Sequence, residues 1–323
     1  MKNKLPEVRR KSKVRGEIKF IDLFCGMGGF RIAAEKVLKE IGLKSLCVFS
    51  SDIDLDAQKI YQTNFEEAPA GDITTIHETS IPDHDILFAG FPCQSFSICG
   101  KMKGFEDVRG TLFFHIARIL KEKRPRAFVL ENVKMLANHD GGRTLATILN
   151  ILTDLGYNVW HQVLNALDFG LPQNRERIFI VGTRMPDCFS YSLCKVPMQP
   201  LIEVLERNVE KRYFASSQIR ENRQVAYRGP KHVDPMIWHE NKSGNISAYP
   251  YSCAMRAGAS YNYLLVNGER RLTEREMLRL QGFPDSYKVV GSYSIMRKLA
   301  GNSLPVPCAA SVIKNLINSI FIN

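Results

Sequence analysis

The chain lacks several features that mark common functional classes. Its eight cysteines are scattered and include no Cys-x-x-Cys pair, which disfavours a zinc site or dithiol redox chemistry. No apolar run approaches the roughly 20 residues that span a bilayer, and no apolar core follows the basic N-terminus to make a signal peptide. We therefore expect a cytoplasmic protein with free thiols and without a metal or a membrane contact.

Acidic residues are few relative to basic ones. The 44 lysines and arginines exceed the 33 aspartates and glutamates, which gives the 323-residue chain a net charge of +11. Residues 1–16 predict a flexible basic arm, and residues 186–298 carry 17 basic against 11 acidic side chains. A basic excess in a folded segment favours a polyanionic partner, whereas the arm is explained equally well as a solvated, disordered tail.

Apolar runs alternate with helical patterns over the first 185 residues. Short apolar runs predict buried strands, and the longer 3.6-residue periodicities between them predict helices. This alternation predicts an α/β fold with a mostly parallel, doubly wound sheet. Strands are expected at 18–24, 46–51, 85–89, 127–132, 159–164 and 177–182, with one more ending at Asp72, and helices at 31–41, 55–64, 111–123 and 143–156.

The pattern changes after Met185. Tyr, Ser, Asn, Arg and Gly become common while the alternation weakens, which predicts a smaller domain of irregular, mostly β structure. A helix is expected to resume from Leu272, where Thr273-Glu274-Arg275-Glu276 fits a capping-box start, and a last apolar helix to span 303–320. We therefore divide the chain into the arm (1–16), a large domain (17–185 plus 299–323) and the smaller domain (186–298).

A glycine-rich loop, Cys25–Phe30, joins the first predicted strand to the first helix. Its glycines let the backbone approach a ligand, and the helix N-terminus adds N–H donors. A dinucleotide fingerprint requires another glycine where Arg31 stands, which argues against NAD and for an adenosyl cofactor without a pyrophosphate. Asp52, which ends the next strand, has the position of an acid that binds ribose hydroxyls, and Asp72 could accept from an adenine amino group.

The segment Gly90–Ser97 places a cysteine in a loop just after a buried strand. Ligands bind at such strand ends in open α/β sheets, so Cys93 fits a nucleophile, although a buried structural cysteine explains this stretch alone equally well. Glu131 ends another predicted strand, and we expect it to face Cys93; a helix cap or surface carboxylate is the alternative. Arg175 and Arg177 alternate in direction, which would put Arg177 into the site and Arg175 onto a phosphate or carboxylate.

Taken in order, these stretches closely resemble the DNA (cytosine-5)-methyltransferases, and the compact length resembles the bacterial restriction–modification members. The resemblance covers residues 18 to about 320. The Pro-Cys-Gln and Glu-Asn-Val pair in this order is highly specific for that family. The matching stretches are Asp22–Gly29, Gly71–Ile73, Gly90–Gln94, Glu131–Val133, Gln173–Arg177, Arg275–Pro284 and Gly301–Ser303.

The resemblance implies a Rossmann-like fold that uses S-adenosylmethionine, with residues 186–298 as the target-recognition domain. It implies that a Cys93 thiolate attacks carbon 6 of a cytosine flipped out of the duplex. Glu131 would stabilise the adduct by sharing a proton with the base. Arg177 would bind the carbonyl oxygen of the base and favour the thiolate, and Arg175 is grouped with these catalytic residues.

The resemblance also implies which residues bind the cofactor and the DNA. Residues 97–109 would form a mobile loop that closes over the DNA. The implied cofactor residues are Phe24, Gly26, Gly28, Gly29, Asp52, Ile53, Asp72, Ile73, Pro92, Leu112, Asn302 and Ser303. The candidate DNA contacts are Gln94, Ser97, Cys99, Arg109, Arg228 and Arg256. Either Ser252 or Ala254 occupies a position where the family often has a threonine that supports the flipped nucleotide.

The expected partner is double-stranded DNA, with a possible cognate restriction endonuclease acting on the same site, and the protein is expected to be a monomer. Three alternatives stay open. A transfer-RNA cytosine-5 methyltransferase shares this architecture but usually reads Pro-Pro-Cys where this chain reads Phe91-Pro92-Cys93. A catalytically inactive DNA-binding subunit is disfavoured by the presence of Cys93, Glu131 and Arg177. A nicotinamide oxidoreductase is disfavoured by Arg31.

Overall fold

The chain folds around one six-stranded sheet. The computed structural model describes residues 16–92, 111–185, 189–229 and 235–322. The strands of the first part are β1 (Glu17–Leu23), β2 (Lys44–Ser51), β3 (Ile86–Gly90), β4 (Ala127–Val133), β5 (Asn158–Asn165), β6 (Gln173–Asn174) and β7 (Glu176–Thr183). All except β6 form the large sheet, in the order β2-β1-β3-β4-β7-β5. Strands β1 to β4 run parallel, and β7 runs antiparallel to both β4 and β5.

Helices cover both faces of this sheet. Because alternate residues of a strand point to opposite faces, Phe20 joins one apolar core with Phe30, and Ile21 joins the other with Phe113. The first core contains residues of α1 (Gly29–Ile41) and α2 (Leu55–Phe65), and the second those of α3 (Leu112–Lys123) and α4 (Arg143–Asp154). The predicted mostly parallel, doubly wound sheet is confirmed.

The strand predicted to end at Asp72 is wrong, whereas the other strands and helices expected before residue 185 lie within two residues of their predicted bounds. Asp72 instead caps a 3-10 turn, Ile73–Thr75, by accepting the Thr74 N–H at 2.9 Å. Gly71, at a φ of 77°, turns the chain immediately before it. Ile73 packs into the second core from this turn.

Residues 189–298 carry a second, smaller sheet. Strand β10 (Ser252–Cys253) pairs in parallel with β6, which attaches this segment to the chain next to Arg175. Helix α5 (Ser217–Ala226) precedes the sheet, and α6 (Glu274–Gln281) follows it with the predicted capping box between Thr273 and Glu276. The small antiparallel sheet has the order β11-β8-β9, from β8 (Ile237–Glu240), β9 (Ile246–Tyr249) and β11 (Leu264–Val266).

The C-terminal segment returns to the large sheet. Helix α7 (Tyr293–Asn302) crosses the domain boundary that the sequence placed at 298, and α8 (Val306–Ile317) packs against α1. The stretch Tyr293–Ile322 is long and apolar enough to span a membrane, but 50% of its apolar window is buried inside the protein. The break between α7 and α8, together with the burial of α8 in the first core, explains this apolar composition.

Candidate active site

A cavity of about 720 Å³ opens at the carboxyl ends of four neighbouring parallel strands. Residues at these ends line it: Phe24 after β1, Asp52 after β2, Gly90 of β3 and Glu131 of β4. Ligands bind at such ends in parallel α/β sheets, because the loops that leave the strands there diverge to opposite faces. The volume is that of a pocket for a drug-sized or cofactor-sized molecule.

The glycine-rich loop forms one wall of the cavity. Gly26, at a φ of 52°, donates its N–H to Asp52 Oδ2 at 2.7 Å. Phe24 also has a positive φ, 54°, which is uncommon for a residue with a side chain. The loop is anchored because the Cys25 N–H donates to the Ser51 carbonyl at 3.0 Å. It places Phe24, Gly26 and Gly29 on the cavity wall.

Gly28, predicted to contact the cofactor, instead packs behind this wall. A Cβ added at Gly28 would lie 2.4 Å from the Phe65 ring, and its φ of 78° favours glycine independently. The Phe65 ring in turn carries the Arg31 guanidinium 4.4 Å from its centroid, and Arg31 pairs with Glu67 at 2.7 Å. Arg31, which replaces the dinucleotide glycine, therefore belongs to the packing of α1 against α2.

Asp52 is an anchored acid at the end of β2. Its two carboxylate oxygens accept the N–H groups of Gly26 at 2.7 Å and of Asp54 at 2.9 Å. Burial raises the pKa of this carboxyl, and the two N–H donors oppose the shift. Ile53 beside it lines the cavity and is 70% exposed. An apolar side chain next to a fixed acid suits a nucleoside, which offers a flat ring and sugar hydroxyls.

Asp72 and Ile73 line the cavity although no strand leads to them. Their turn is held from α3, where the Arg118 guanidinium donates to the carbonyls of Ile73 at 2.8 Å and of Ile76 at 2.7 Å. The start of the same helix places Leu112 on the cavity wall. Pro92, Asn302 and Ser303 complete the set of predicted cofactor residues that line it.

Sequence reasoning missed two polar residues of the cavity, Asp22 and Ser51. Both side chains are 1% exposed and line the cavity, and Asp22 Oδ2 and Ser51 Oγ have no hydrogen-bond partner among the described residues. Burial raises the pKa of the Asp22 carboxyl well above its ordinary value. Unpaired buried polar atoms are costly, so these two atoms are suited to contact a bound ligand. An acid between the apolar residues Ile21 and Leu23 of β1 was the available signal for Asp22.

Strands β4 and β7 bring Glu131 and Arg177 together. Glu131 is 8% exposed, and Arg177 Nε lies 2.9 Å from Glu131 Oε1. The two residues are diagonal neighbours, because Val133 pairs with Arg177 in the register of the antiparallel strands. Burial raises the pKa of Glu131, while the charges of Arg177 and Arg175 oppose the shift. The pair therefore supplies an acid with a raised pKa and a cation at one place on the cavity wall.

Asn132 joins the Glu-Asn-Val stretch to the Phe-Pro-Cys stretch. Its side-chain amide donates to the Phe91 carbonyl at 2.8 Å, and Pro92 lines the cavity. The predicted residues that follow lie outside the described ranges: Cys93, Gln94, Ser97, Cys99 and Arg109. That Glu131 faces Cys93 stays a prediction, supported by the bond from Asn132 to the residue two positions before the cysteine.

The expectation that Arg175 binds a phosphate or carboxylate is wrong. The side chain is fully buried and does not line the cavity. Its guanidinium donates to three backbone carbonyls, those of Met255 at 3.0 Å, Gly301 at 2.8 Å and Ser303 at 2.6 Å. Burial lowers the pKa of the guanidinium to about 9. Alternation along the strand predicted that Arg175 and Arg177 differ in direction, but not that the 255 and 301–303 segments cover Arg175.

Of the basic residues predicted to contact DNA, Arg256 lines the cavity and Arg228 does not. Arg256 is exposed, and its guanidinium lies over the Tyr263 ring, 5.0 Å from the centroid. Arg228 is exposed. Neither Ser252 nor Ala254 lines the cavity, which the neighbouring segment Met255–Ala257 reaches instead.

The sheet order, with one antiparallel strand between β4 and β5, and the cavity at the strand ends define a Rossmann-like methyltransferase of the S-adenosylmethionine-dependent class. The model of the C-5 cytosine-specific DNA methylase family matches residues 18–318, and the chain belongs to that family. It is a DNA cytosine-5-methyltransferase. The family and the fold imply that S-adenosylmethionine is the methyl donor.

Individual relatives agree with this assignment. The chain is 56% identical to the Type II methyltransferase M.NgoBI of Neisseria gonorrhoeae over 291 residues, which are 90% of each protein. It is 52% identical to the Type II methyltransferase M.HaeII of Haemophilus aegyptius over 307 residues, 94% of each. Among solved structures, the Entamoeba histolytica methyltransferase EhMeth superposes with a TM-score of 0.72 at 18% identity, covering 94% of this chain and 98% of that one, which shows the shared fold.

Proposed function

We propose that the protein methylates carbon 5 of a flipped-out cytosine, within a specific sequence of duplex DNA, through a covalent bond to Cys93. One observation carries this proposal. The same cavity wall that bears Phe24, Asp52 and Asn302 also bears the Glu131–Arg177 pair, so groups for a nucleoside cofactor and for a base converge in one space. Pro92 lines that space and immediately precedes Cys93.

The cavity fits S-adenosylmethionine, which supplies an electrophilic methyl group when bound. Asp52 and Ile53 suit the ribose hydroxyls and the adenine face, and Asp72 suits the adenine amino group. The buried Asp22 Oδ2 and the Ser51 hydroxyl, both atoms without a hydrogen-bond partner among the described residues, suit the polar and cationic end of the molecule. Gly26 and Gly29 have no side chain, so the backbone can approach the ligand closely there. The remainder of the cavity is enclosed by Pro92, Leu112, Asn302 and Ser303.

The protein groups act on the base by covalent catalysis. Carbon 5 of cytosine is a poor nucleophile until the Cys93 thiolate adds to carbon 6, which breaks the aromaticity and makes carbon 5 enamine-like. Glu131 has a raised pKa, which favours retention of its proton. It donates this proton to N3 and so neutralises the negative charge that the thiolate brings to the ring. Arg177 binds the carbonyl oxygen of the base. Once carbon 5 carries the methyl group, solvent water takes its proton, the electrons of that C–H bond re-form the double bond to carbon 6 and expel the thiolate, and N3 returns its proton to Glu131.

Replacing Asp52 with asparagine is expected to weaken binding of S-adenosylhomocysteine about tenfold. An asparagine has one side-chain oxygen, so it loses one of the two backbone N–H donors, from Gly26 or Asp54, and its charge. Isothermal titration calorimetry measures the change, with Asp56→Asn, which does not line the cavity, as the control. An unchanged dissociation constant for Asp52→Asn would exclude this residue from the cofactor site.

Replacing Arg256 with alanine is expected to weaken duplex binding about tenfold and to lower the slope of log affinity against log salt concentration by about one, because one phosphate contact is lost. Arg184→Ala is the matched control. It removes an exposed arginine at the opposite end of the sheet, where Thr183 pairs with Ala127 at the start of β4. Equal salt slopes for the two variants would exclude Arg256 from the DNA contact; Arg228 is tested in the same series.

The biological setting follows from the relatives, several of which are named Type II methyltransferases. We propose that this protein likewise protects DNA in a restriction–modification system, in the bacterial cytoplasm, as a monomer, and that a cognate endonuclease cuts the same unmethylated site. Residues 186–298 act as the target-recognition domain. The sedimentation rate of the purified protein shows whether it is a monomer.

Bisulfite sequencing of plasmid DNA treated with the purified protein tests the function, since it reports cytosine methylation and its sequence context together. Protection at one recurring sequence is the expected result. Labelled methyl transfer to transfer RNA is measured in parallel. Activity on transfer RNA without activity on DNA, or methylation without sequence preference, would contradict the proposal.

A further inference from the structure

The junction around Arg175 connects three parts of the protein that serve different steps of the reaction. Arg175 occupies the single residue between β6 and β7, two residues before Arg177. One guanidinium nitrogen, Nη1, donates to the Met255 carbonyl, and the other, Nη2, donates to the carbonyls of Gly301 and Ser303. One side chain therefore holds the strand that carries Arg177, the segment 255–257 and residues 301–303, where α7 ends and the chain turns toward α8 (the loop 301–303).

The loop 301–303 is fixed around a residue of the cavity. The two carbonyls held by Nη2 belong to the residues on either side of Asn302, which is exposed and lines the cavity. The Gln281 side chain reinforces the same loop by donating to the Ala300 carbonyl at 2.6 Å. Because both neighbouring peptide groups are anchored, the direction of Asn302 depends on Arg175.

The segment 255–257 is held against this loop from a second side. A Cβ added at Gly301 would lie 2.6 Å from the Ala257 nitrogen, so the two backbones are in direct contact. Gln173 of β6 contributes as well, because its side-chain oxygen accepts the Met255 N–H at 3.3 Å. Met255, Arg256 and Ala257 all line the cavity, so a shift of this segment changes the space that the cofactor and the base share.

We propose that Arg175 is a positioning residue that couples cofactor binding to DNA binding, by holding the loop 301–303 and the segment 255–257 at a fixed distance from Arg177. The inference rests on the proposed function, because it takes the cavity as the cofactor site and segment 255–257 as part of the DNA-contacting region. DNA that binds Arg256 restrains the Met255 carbonyl, and through the guanidinium it restrains both sides of Asn302. By linkage, the cofactor changes the affinity for DNA by the same factor.

The test compares Arg175→Lys with the unmodified protein. An ammonium group is a single point donor and does not span three carbonyls as the planar guanidinium does. We measure the dissociation constant of S-adenosylhomocysteine alone and with saturating methylatable duplex, and take the ratio of the two. The unmodified protein is expected to show a ratio of about five or more, and the lysine variant a ratio near one together with about tenfold weaker binding in the absence of DNA.

A second substitution and a matched control separate coupling from general destabilisation. Gly301→Ala disturbs the contact between residues 301 and 257 without altering Arg175, and it is expected to lower the ratio too. Arg126→Lys is the control, because Arg126 also donates to a backbone carbonyl, that of Ile320 at 2.9 Å, far along the chain from this junction. It is expected to keep the full ratio. Loss of folding alone lowers the number of binding sites, but leaves the ratio measured on the folded fraction unchanged.

The outcomes are distinguishable. The inference is overturned if the Arg175→Lys variant binds S-adenosylhomocysteine with the same dissociation constant and the same ratio as the unmodified protein. It is also overturned if the unmodified protein itself shows a ratio of one. Failure of the unmodified protein to bind S-adenosylhomocysteine at all contradicts the proposed function itself. A lowered ratio in Arg175→Lys and Gly301→Ala, with the full ratio in Arg126→Lys, supports the inference.

Discussion

Replacing Cys93 with alanine is expected to lower methyl transfer to duplex DNA by at least about 10⁴-fold, because removal of a nucleophile from a covalent mechanism leaves only binding and electrostatic effects. Carbon 5 of cytosine gains its reactivity from the bond between sulfur and carbon 6. An alanine at position 93 leaves carbon 5 within an intact aromatic ring. Single-turnover transfer of a labelled methyl group measures the loss.

The same variant is expected to bind duplex DNA and S-adenosylhomocysteine with nearly unmodified affinity, which separates chemistry from folding. A second measurement tests the covalent bond directly. A duplex with 5-fluorocytosine at the target has no proton at carbon 5 to lose, so the thiolate is not expelled and a complex that survives denaturation is expected. Such a complex with Cys93→Ala, or methylation by that variant near the unmodified rate, would contradict the role of Cys93.

The strand ends of the sheet could be read from the sequence, and most of the site with them. Apolar runs that end in polar or glycine residues predicted where β1, β2, β3 and β4 stop, and the cavity lies at those ends. Asp52 and Glu131 were found in this way, whereas Phe24 was implied by the family resemblance. The position of Asp72 was also found, but for an incorrect reason. It is presented by a turn that Arg118 holds from α3, a long-range contact that no local pattern encodes.

Residues whose role depends on the far side of the chain could not be predicted. The partners of Arg175 come from residues 80, 126 and 128 positions later in the chain, so its burial depends on how the C-terminal segment returns. Gly28 is constrained by the Phe65 ring of α2 rather than by a ligand. The family resemblance marks these positions as important, but the contacts decide whether each one binds, reacts or positions.

Replacing Glu131 with glutamine is expected to lower the rate of methyl transfer by about 10²–10⁴-fold, the range of a general acid. Glutamine retains the shape and an N–H donor toward N3 of the base, but it has no proton to share. The ratio of the unmodified rate to the variant rate is expected to fall as pH rises through the raised pKa of Glu131, because only the protonated form of the acid contributes. Taking the ratio cancels the effects of pH that do not depend on residue 131.

Protein stability gives an independent measurement of the same pKa. In the unfolded chain the pKa of Glu131 is near the ordinary glutamate value of 4.5, whereas burial raises that pKa in the folded protein and keeps the carboxyl protonated to higher pH. The unmodified protein therefore loses stability, relative to Glu131→Gln, as pH rises from the unfolded to the folded pKa, by about 1.4 kcal/mol for each unit between them. Loss of the ion pair with Arg177 in Glu131→Gln separates the two plots of unfolding free energy against pH by a constant amount and does not change this slope. A stability difference that does not vary with pH would show that Glu131 is ionised in the folded protein, and would contradict its role as the proton donor.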